Sequence, residues 1–187
     1  MGAILLLLAA LVAPRAPAHA VPTPIGIGPG FRPAATTPWV RGGRPLGSLR
    51  CTEATDAMRV HVELFVHGRA LLLPAGIGVA APSARSGAVV EPRGCRYPLS
   101  TLDPTGVIDI TAGRVYTLGD VFRIWQQPLG RHRLLGFRSH RAVRVFVNGR
   151  RWHGPPAAVG LQAHDEIVVE LGPLVPPHRS YLFPEQP

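Results

Sequence analysis

No lysine occurs in this chain: all 20 basic residues are arginine, against 11 acidic ones, and Asn148 is the only asparagine. A chain rich in Ala, Gly, Pro and Arg yet free of Lys has the composition of a very GC-rich genome, so part of its formal charge of +9 reflects codon usage. A basic balance is the usual electrostatic footprint of nucleic acid, anionic glycan or membrane partners, and here it is discounted accordingly. No apolar run reaches the ~20 residues that a membrane-spanning helix requires. Other absences exclude chemistry: there is no Gly-x-Ser-x-Gly elbow, no His-Glu-x-x-His, no Walker loop and no dinucleotide fingerprint between a strand and a helix. The two cysteines, Cys51 and Cys95, lack the Cys-x-x-Cys spacing of a redox pair, and an even pair in an exported chain reads as a structural disulfide.

What is present divides the 187 residues into four parts. Ile4 to Val12 is a short apolar stretch, and Ala18-His19-Ala20 follows with small residues at the positions read by signal peptidase. Residues 1–20 are therefore expected to be a cleaved signal peptide, which places the protein in the periplasm or outside the cell with no transmembrane anchor after cleavage. Residues 21–46 carry six prolines and no hydrophobic periodicity, the pattern of an extended linker or arm. A domain is expected over 47–173, and residues 174–187 form a Pro-rich tail expected to be peripheral.

Within the domain, His61-Val-Glu-Leu-Phe-Val66 alternates as a strand, His67-Gly68 supplies a tight turn, and Arg69 to Leu73 returns. Val143 to Val147, Asn148-Gly149 and Arg150 to His153 repeat the design, with Asn-Gly the preferred pair where both turn residues need positive φ. The two segments align without gaps, which suggests a weak repeat of 61–79 in 142–161. Gly106 to Ile110 reads as a further strand, and Glu166 to Leu171 as the last. Thr117-Leu-Gly-Asp120 has the form of a capping box opening the main helix, whose apolar face comprises Leu118, Val121, Phe122 and Trp125. The expected fold is α+β and mostly β: a mixed or antiparallel sheet of five or more strands with one main helix, as a β-grasp or a small sandwich.

Taken together, Cys51, His61-Val-Glu-Leu-Phe-Val-His-Gly68, Leu73-Pro-Ala-Gly-Ile-Gly78, Cys95-Arg-Tyr-Pro-Leu99, Asp103-Pro-Thr-Gly-Val-Ile108 and Tyr116-Thr-Leu-Gly-Asp120 form a recognisable order. Over roughly Cys51 to Gly172 the chain resembles a family of exported bacterial proteins of uncharacterised function. Those relatives carry His-x-His on the first strand, Leu-His-Thr-His-Asp after the second cysteine and Ile-His on the next strand. The resemblance implies a metal site, since converging imidazoles bind zinc, copper, nickel or iron. This chain departs from that pattern: Arg59 stands where one histidine would be, Ser100 and Leu102 replace two, and Asp109 replaces another. His61, Asp103 and Asp109 remain as a residual set of divalent-metal ligands, which the guanidinium of Arg59 opposes. The alternative is that the same strands persist as scaffold.

Ser100, His61 and Asp103 also contain the atom types of a hydrolytic triad, without a sequence context that brings them together. His164-Asp165-Glu166 falls where a polar turn enters the last strand, and His67 where a hairpin turn meets solvent. Between Asp120 and Asp165 arginines accumulate with no acidic residue. Arg131 and Arg133, with Arg150 and Arg151, could bind a phosphate, sulfate or carboxylate on an anionic surface or ligand, or form a solvated face. Export and the lack of a DNA or RNA motif argue against a nucleic-acid partner. The function expected is a non-catalytic exported binding or accessory domain whose ligand is open; the alternative is a divalent-metal-binding exported protein. No cofactor is expected beyond such a metal.

Overall fold

The computed structural model describes residues 43–53, 56–81 and 83–183, so the expected signal peptide and all but the end of the expected arm lie outside the described residues. The elements are β1 (Asp56–Val66), β2 (Arg69–Leu71), β3 (Ser83–Ser86), β4 (Val89–Pro92), β5 (Leu99–Ser100), β6 (Val107–Thr111), α1 (Leu118–Ile124), β7 (Leu129–Gly130), β8 (Arg133–Leu134), β9 (Phe137–Arg138), β10 (Arg144–Val147), β11 (Arg150–Trp152) and β12 (Glu166–Leu171).

Alternation sets the organisation of β1. Val60, Val62, Leu64 and Val66 fall on one side, in the core, while Arg59, His61, Glu63 and Phe65 fall on the other. The strand begins earlier than its alternation suggests, because Asp56 to His61 pair with β6. It returns as β2 through His67-Gly68, and β10 returns as β11 through Asn148-Gly149. The central φ angles are 52° and 77° in the first turn and 51° and 76° in the second. Two positive φ values match the twist of a two-residue hairpin, which is why glycine stands second in each.

The strands form one seven-stranded sheet in the order β11-β10-β12-β1-β6-β5, with β2 also on β1; β3–β4 and β7–β8–β9 are small separate sheets. β12 runs parallel to β1, from His61↔Glu166 to Val66↔Leu171, and antiparallel to β10. The order β2-β1-β12-β10-β11, with the helix between the two hairpins and β12 parallel to β1, is that of a β-grasp, to which β6 and β5 are added beside β1. The main sheet is mixed and carries the helix against one face, with the two small sheets apart from it, an arrangement closer to the β-grasp than to the sandwich of the two that the sequence left open.

The helix is short and capped as expected. Thr117 Oγ1 accepts from the backbone N–H of Asp120 at 3.3 Å, and Asp120 Oδ2 accepts from that of Thr117 at 3.1 Å. Such a cap contributes about 1 kcal/mol. Leu118, Val121, Phe122 and Trp125 are all buried in the core that also holds the inner residues of β1, β6 and β12. Cys51 and Cys95 are disulfide-bonded, 44 residues apart, tying the segment before β1 to the segment before β5. Closing a loop of that size removes unfolded-state entropy worth ~4 kcal/mol. No helix of the described residues is long and apolar enough to cross a membrane.

Candidate functional site

The face of the sheet turned away from α1 is polar, and its charges come in pairs. Neighbouring strands place Arg59 against Asp109, His61 against Glu166 and Arg144 against Glu170, with closest N···O distances of 2.7, 2.6 and 2.9 Å. All three carboxylates are buried, Glu166 and Glu170 at 1% exposure. Burial pushes the pKa of each above its ordinary value, and the side-chain hydrogen bond from its partner, Arg59, His61 or Arg144, pulls it down and only partly compensates.

His61 sits at the centre of this face. Its Nε2 lies 2.9 Å from the carbonyl oxygen of Thr105, in the loop before β6. The loop is held by Asp103, whose Oδ1 accepts from the backbone N–H of Thr105 at 3.0 Å and from its hydroxyl. The approach requires Gly106, with φ +91°, because a β-carbon there would lie 2.9 Å from His61 Nε2 and 2.6 Å from the Val62 carbonyl oxygen. A carbonyl only accepts, so Nε2 carries a proton and Nδ1 faces the Glu166 carboxylate. One further proton must then lie between Nδ1 and Glu166 Oε2. Glu166 Oε1 is buried with no hydrogen-bond partner among the described residues. Glu63, two residues along β1 on the same face, completes a group in which one ligand atom from each of His61, Glu63 and Glu166 lies within 4.8 Å of the others.

The tail expected to be peripheral runs back over this face as a strap. The Val175 N–H donates to Glu170 Oε1 at 3.2 Å, and His178 Nδ1 meets Glu63 Oε2 at 2.8 Å. Tyr181 stacks on the His61 ring with centroids 3.7 Å apart and planes 10° from parallel. Phe183 packs on Tyr181 and His164 at 5.1 and 5.2 Å. Burial raises the Tyr181 pKa, against the pull of its hydrogen bond to Thr105.

Beside the strap lies a cavity. One edge of β1 is shared, pairing with β6 as far as His61 and with β2 from Leu64 onward. The two partners diverge at Val62 and Glu63, and a cavity of about 580 Å³ opens between them. Phe65, Ala70, Leu72 and Val175 contribute to an apolar lining, to which His61, Glu63, Arg69 and His178 add polar groups.

The structure does not bring together the ligand set expected from the resemblance. Asp109 is turned to Arg59 and Asp103 to Thr105, whereas the carboxylates gathered at His61 are Glu63 and Glu166. Three of the positions where histidines were expected, Arg59, Asp109 and Ser100, lie in one row across β1, β6 and β5. In that row the guanidinium already supplies the cation. Leu102 packs against the cluster of Ala75, Val79 and Val90. Ser100 faces Arg96 at 3.4 Å, and both ring nitrogens of His61 are engaged elsewhere, so the triad atoms are not assembled.

The four arginines are divided between two sheets: Arg131 and Arg133 belong to the β7–β8–β9 region, and Arg150 and Arg151 to the edge strand β11. Arg150 pairs with Val147 and Arg151 with Phe146, so these neighbours point to opposite faces. His67 is exposed in its turn, as expected.

Glu63, Glu166, His178 and Tyr181 were missed as site residues. A signal existed for the first two: Glu63 shares the alternation of His61, and Glu166 and Glu170 share one face of an otherwise apolar strand. None existed for the tail, which has no periodicity. No protein-family model, no curated protein and no solved structure matches the chain.

Proposed function

We infer that the chain is an exported, non-catalytic binding domain that takes a small, largely apolar ligand in the cavity between β2 and the loop before β6. The observation that carries this reading is the cavity itself. Its volume of about 580 Å³ falls within the roughly 300–1,000 Å³ of small-molecule sites, and a mainly apolar lining with a few polar groups is their usual make-up. The disulfide suits an oxidising compartment, in line with the apolar stretch and Ala18-His19-Ala20 at the start of the chain. A binding role is favoured over a hydrolytic one because Ser100, His61 and Asp103 each have other partners.

The test is titration with N-phenyl-1-naphthylamine, a neutral dye that fluoresces in apolar surroundings. Saturable binding of one dye per chain, lost in Ala70→Trp, which fills the cavity from β2, is the expected result. Absence of saturable binding, or binding unchanged in Ala70→Trp, would overturn the reading.

A further inference from the structure

We propose that His61, Glu63 and Glu166 hold a divalent transition-metal ion beside the cavity, where His61 and Glu63 line it. The inference goes beyond the binding of an apolar ligand, and four features of the site support it.

The first is the orientation of the imidazole. A metal-ligating histidine characteristically donates its other ring N–H to a carbonyl or carboxylate, which fixes the tautomer and aims the free lone pair. Thr105 does this to His61: its carbonyl takes Nε2–H at 2.9 Å and leaves Nδ1 turned to the carboxylates. The second is that this nitrogen already meets a carboxylate: Nδ1 and Glu166 Oε2 share one proton at 2.6 Å, the proton that a metal ion displaces as the pair opens to ~3.4 Å. The third is Glu166 Oε1, a carboxylate oxygen on a side chain 1% exposed that has no partner among the described residues. A buried acceptor left without a partner loses the hydrogen bonds it had in water, the more so when charged, and a cation shared with Glu63 satisfies it. The fourth is access, because His61 and Glu63 both line the cavity.

Metal binding asks for a small adjustment of spacing. Four ligands held tetrahedrally at ~2.1 Å from an ion lie ~3.4 Å apart; one ligand atom from each of the three residues already lies within 4.8 Å of the others, and the 2.6 Å His61–Glu166 contact opens as the ion replaces its proton. One imidazole and two carboxylates form a nitrogen–oxygen ligand set suited to zinc and its divalent neighbours. The strap contributes from above: His178 orients Glu63, and Tyr181 stacked on His61 fixes the plane of the ring. The neighbouring row offers no such site, since Arg59 already neutralises Asp109.

The experiment is isothermal titration of the purified, chelator-stripped, untagged protein with zinc, with the metal content after gel filtration measured independently. The expected result is one zinc per chain, with affinity reduced at least tenfold in Glu63→Gln and in Glu166→Gln and unchanged in Asp109→Asn. Circular dichroism checks the fold of each variant; Glu63 is partly exposed, so Glu63→Gln decides even where Glu166→Gln is unstable. No stoichiometric zinc in the parent protein, or equal affinity in folded Glu63→Gln, would overturn the proposal. The dye and zinc titrations are independent: zinc without dye binding removes only the apolar-ligand reading, and dye without zinc binding removes only the metal site.

Discussion

The two faces of the large sheet are made from the same strands by the same alternation, and the central positions of both are buried, yet they do different things. On the face toward α1, Val60, Val62, Leu64, Ile167 and Val169 pack among aliphatic and aromatic side chains. Each such side chain contributes roughly 1.5–3 kcal/mol by leaving water. On the other face the same depth of burial is occupied by Asp109, Glu166 and Glu170. There, desolvation offsets most of the attraction between opposite charges, so a buried ion pair adds little net stability. The comparison teaches that burial alone does not identify a stabilising core: one face stabilises the domain, and the other fixes the positions of polar groups, the strap and the cavity.

The largest expected effect lies on the apolar face. Leu64→Ala should destabilise the domain by about 2–5 kcal/mol through lost transfer energy and a residual cavity, measured by denaturant unfolding under oxidising conditions. A cost below 1 kcal/mol would break the contrast between the faces.

Next comes Arg144→Met, which leaves Glu170 buried without its cation; Arg144 is 16% exposed, so the cost at neutral pH is about 2–3 kcal/mol, at or below the low end for a fully buried pair. The Glu170 carboxyl is already raised above its ordinary value, so between the two values the folded chain binds more protons than the unfolded one. The contribution to stability is therefore full below the ordinary value and is lost as pH climbs through the raised one. Removing Arg144 raises the folded value further, so the variant should regain stability relative to the parent on acidification. A difference independent of pH would show that the loss comes from packing and not from charge.

The smallest effect belongs to the sheet edge. Arg150→Ala and Arg151→Ala, both exposed, should each change stability by less than about 0.5 kcal/mol. Their retention on heparin at low salt sharpens the comparison separately: a marked fall would assign β11 an anionic partner, and no change would leave it a solvated edge.

Much of the frame was legible because it is written locally. Asn148-Gly149 and Thr117 with Asp120 specify a turn and a cap through residues at most three apart, and the run from Glu166 to Leu171 coincides with β12. The site was legible in part. His61 was found, but Glu166 read as the end of a polar turn, because its burial depends on β12 entering beside β1 in one particular register. Arg59 and Asp109 appeared as separate departures from a histidine pattern, and only the pairing of β1 with β6 makes them one ion pair. The tail was misjudged because isolated rings such as Tyr181 and Phe183 act without periodicity.

By itself, the sequence determined the hairpins, the capped helix, the disulfide partners and which residues of each strand share a face, since these follow from φ preferences, alternation and the count of cysteines. The tertiary structure alone decided which polar residues meet on that face. His61 and Glu166 are 105 residues apart, and their contact depends on strand register, on the close approach allowed by Gly106 and on the fold-back of the tail. These are long-range choices set by packing the apolar face, and no local pattern of residues encodes them.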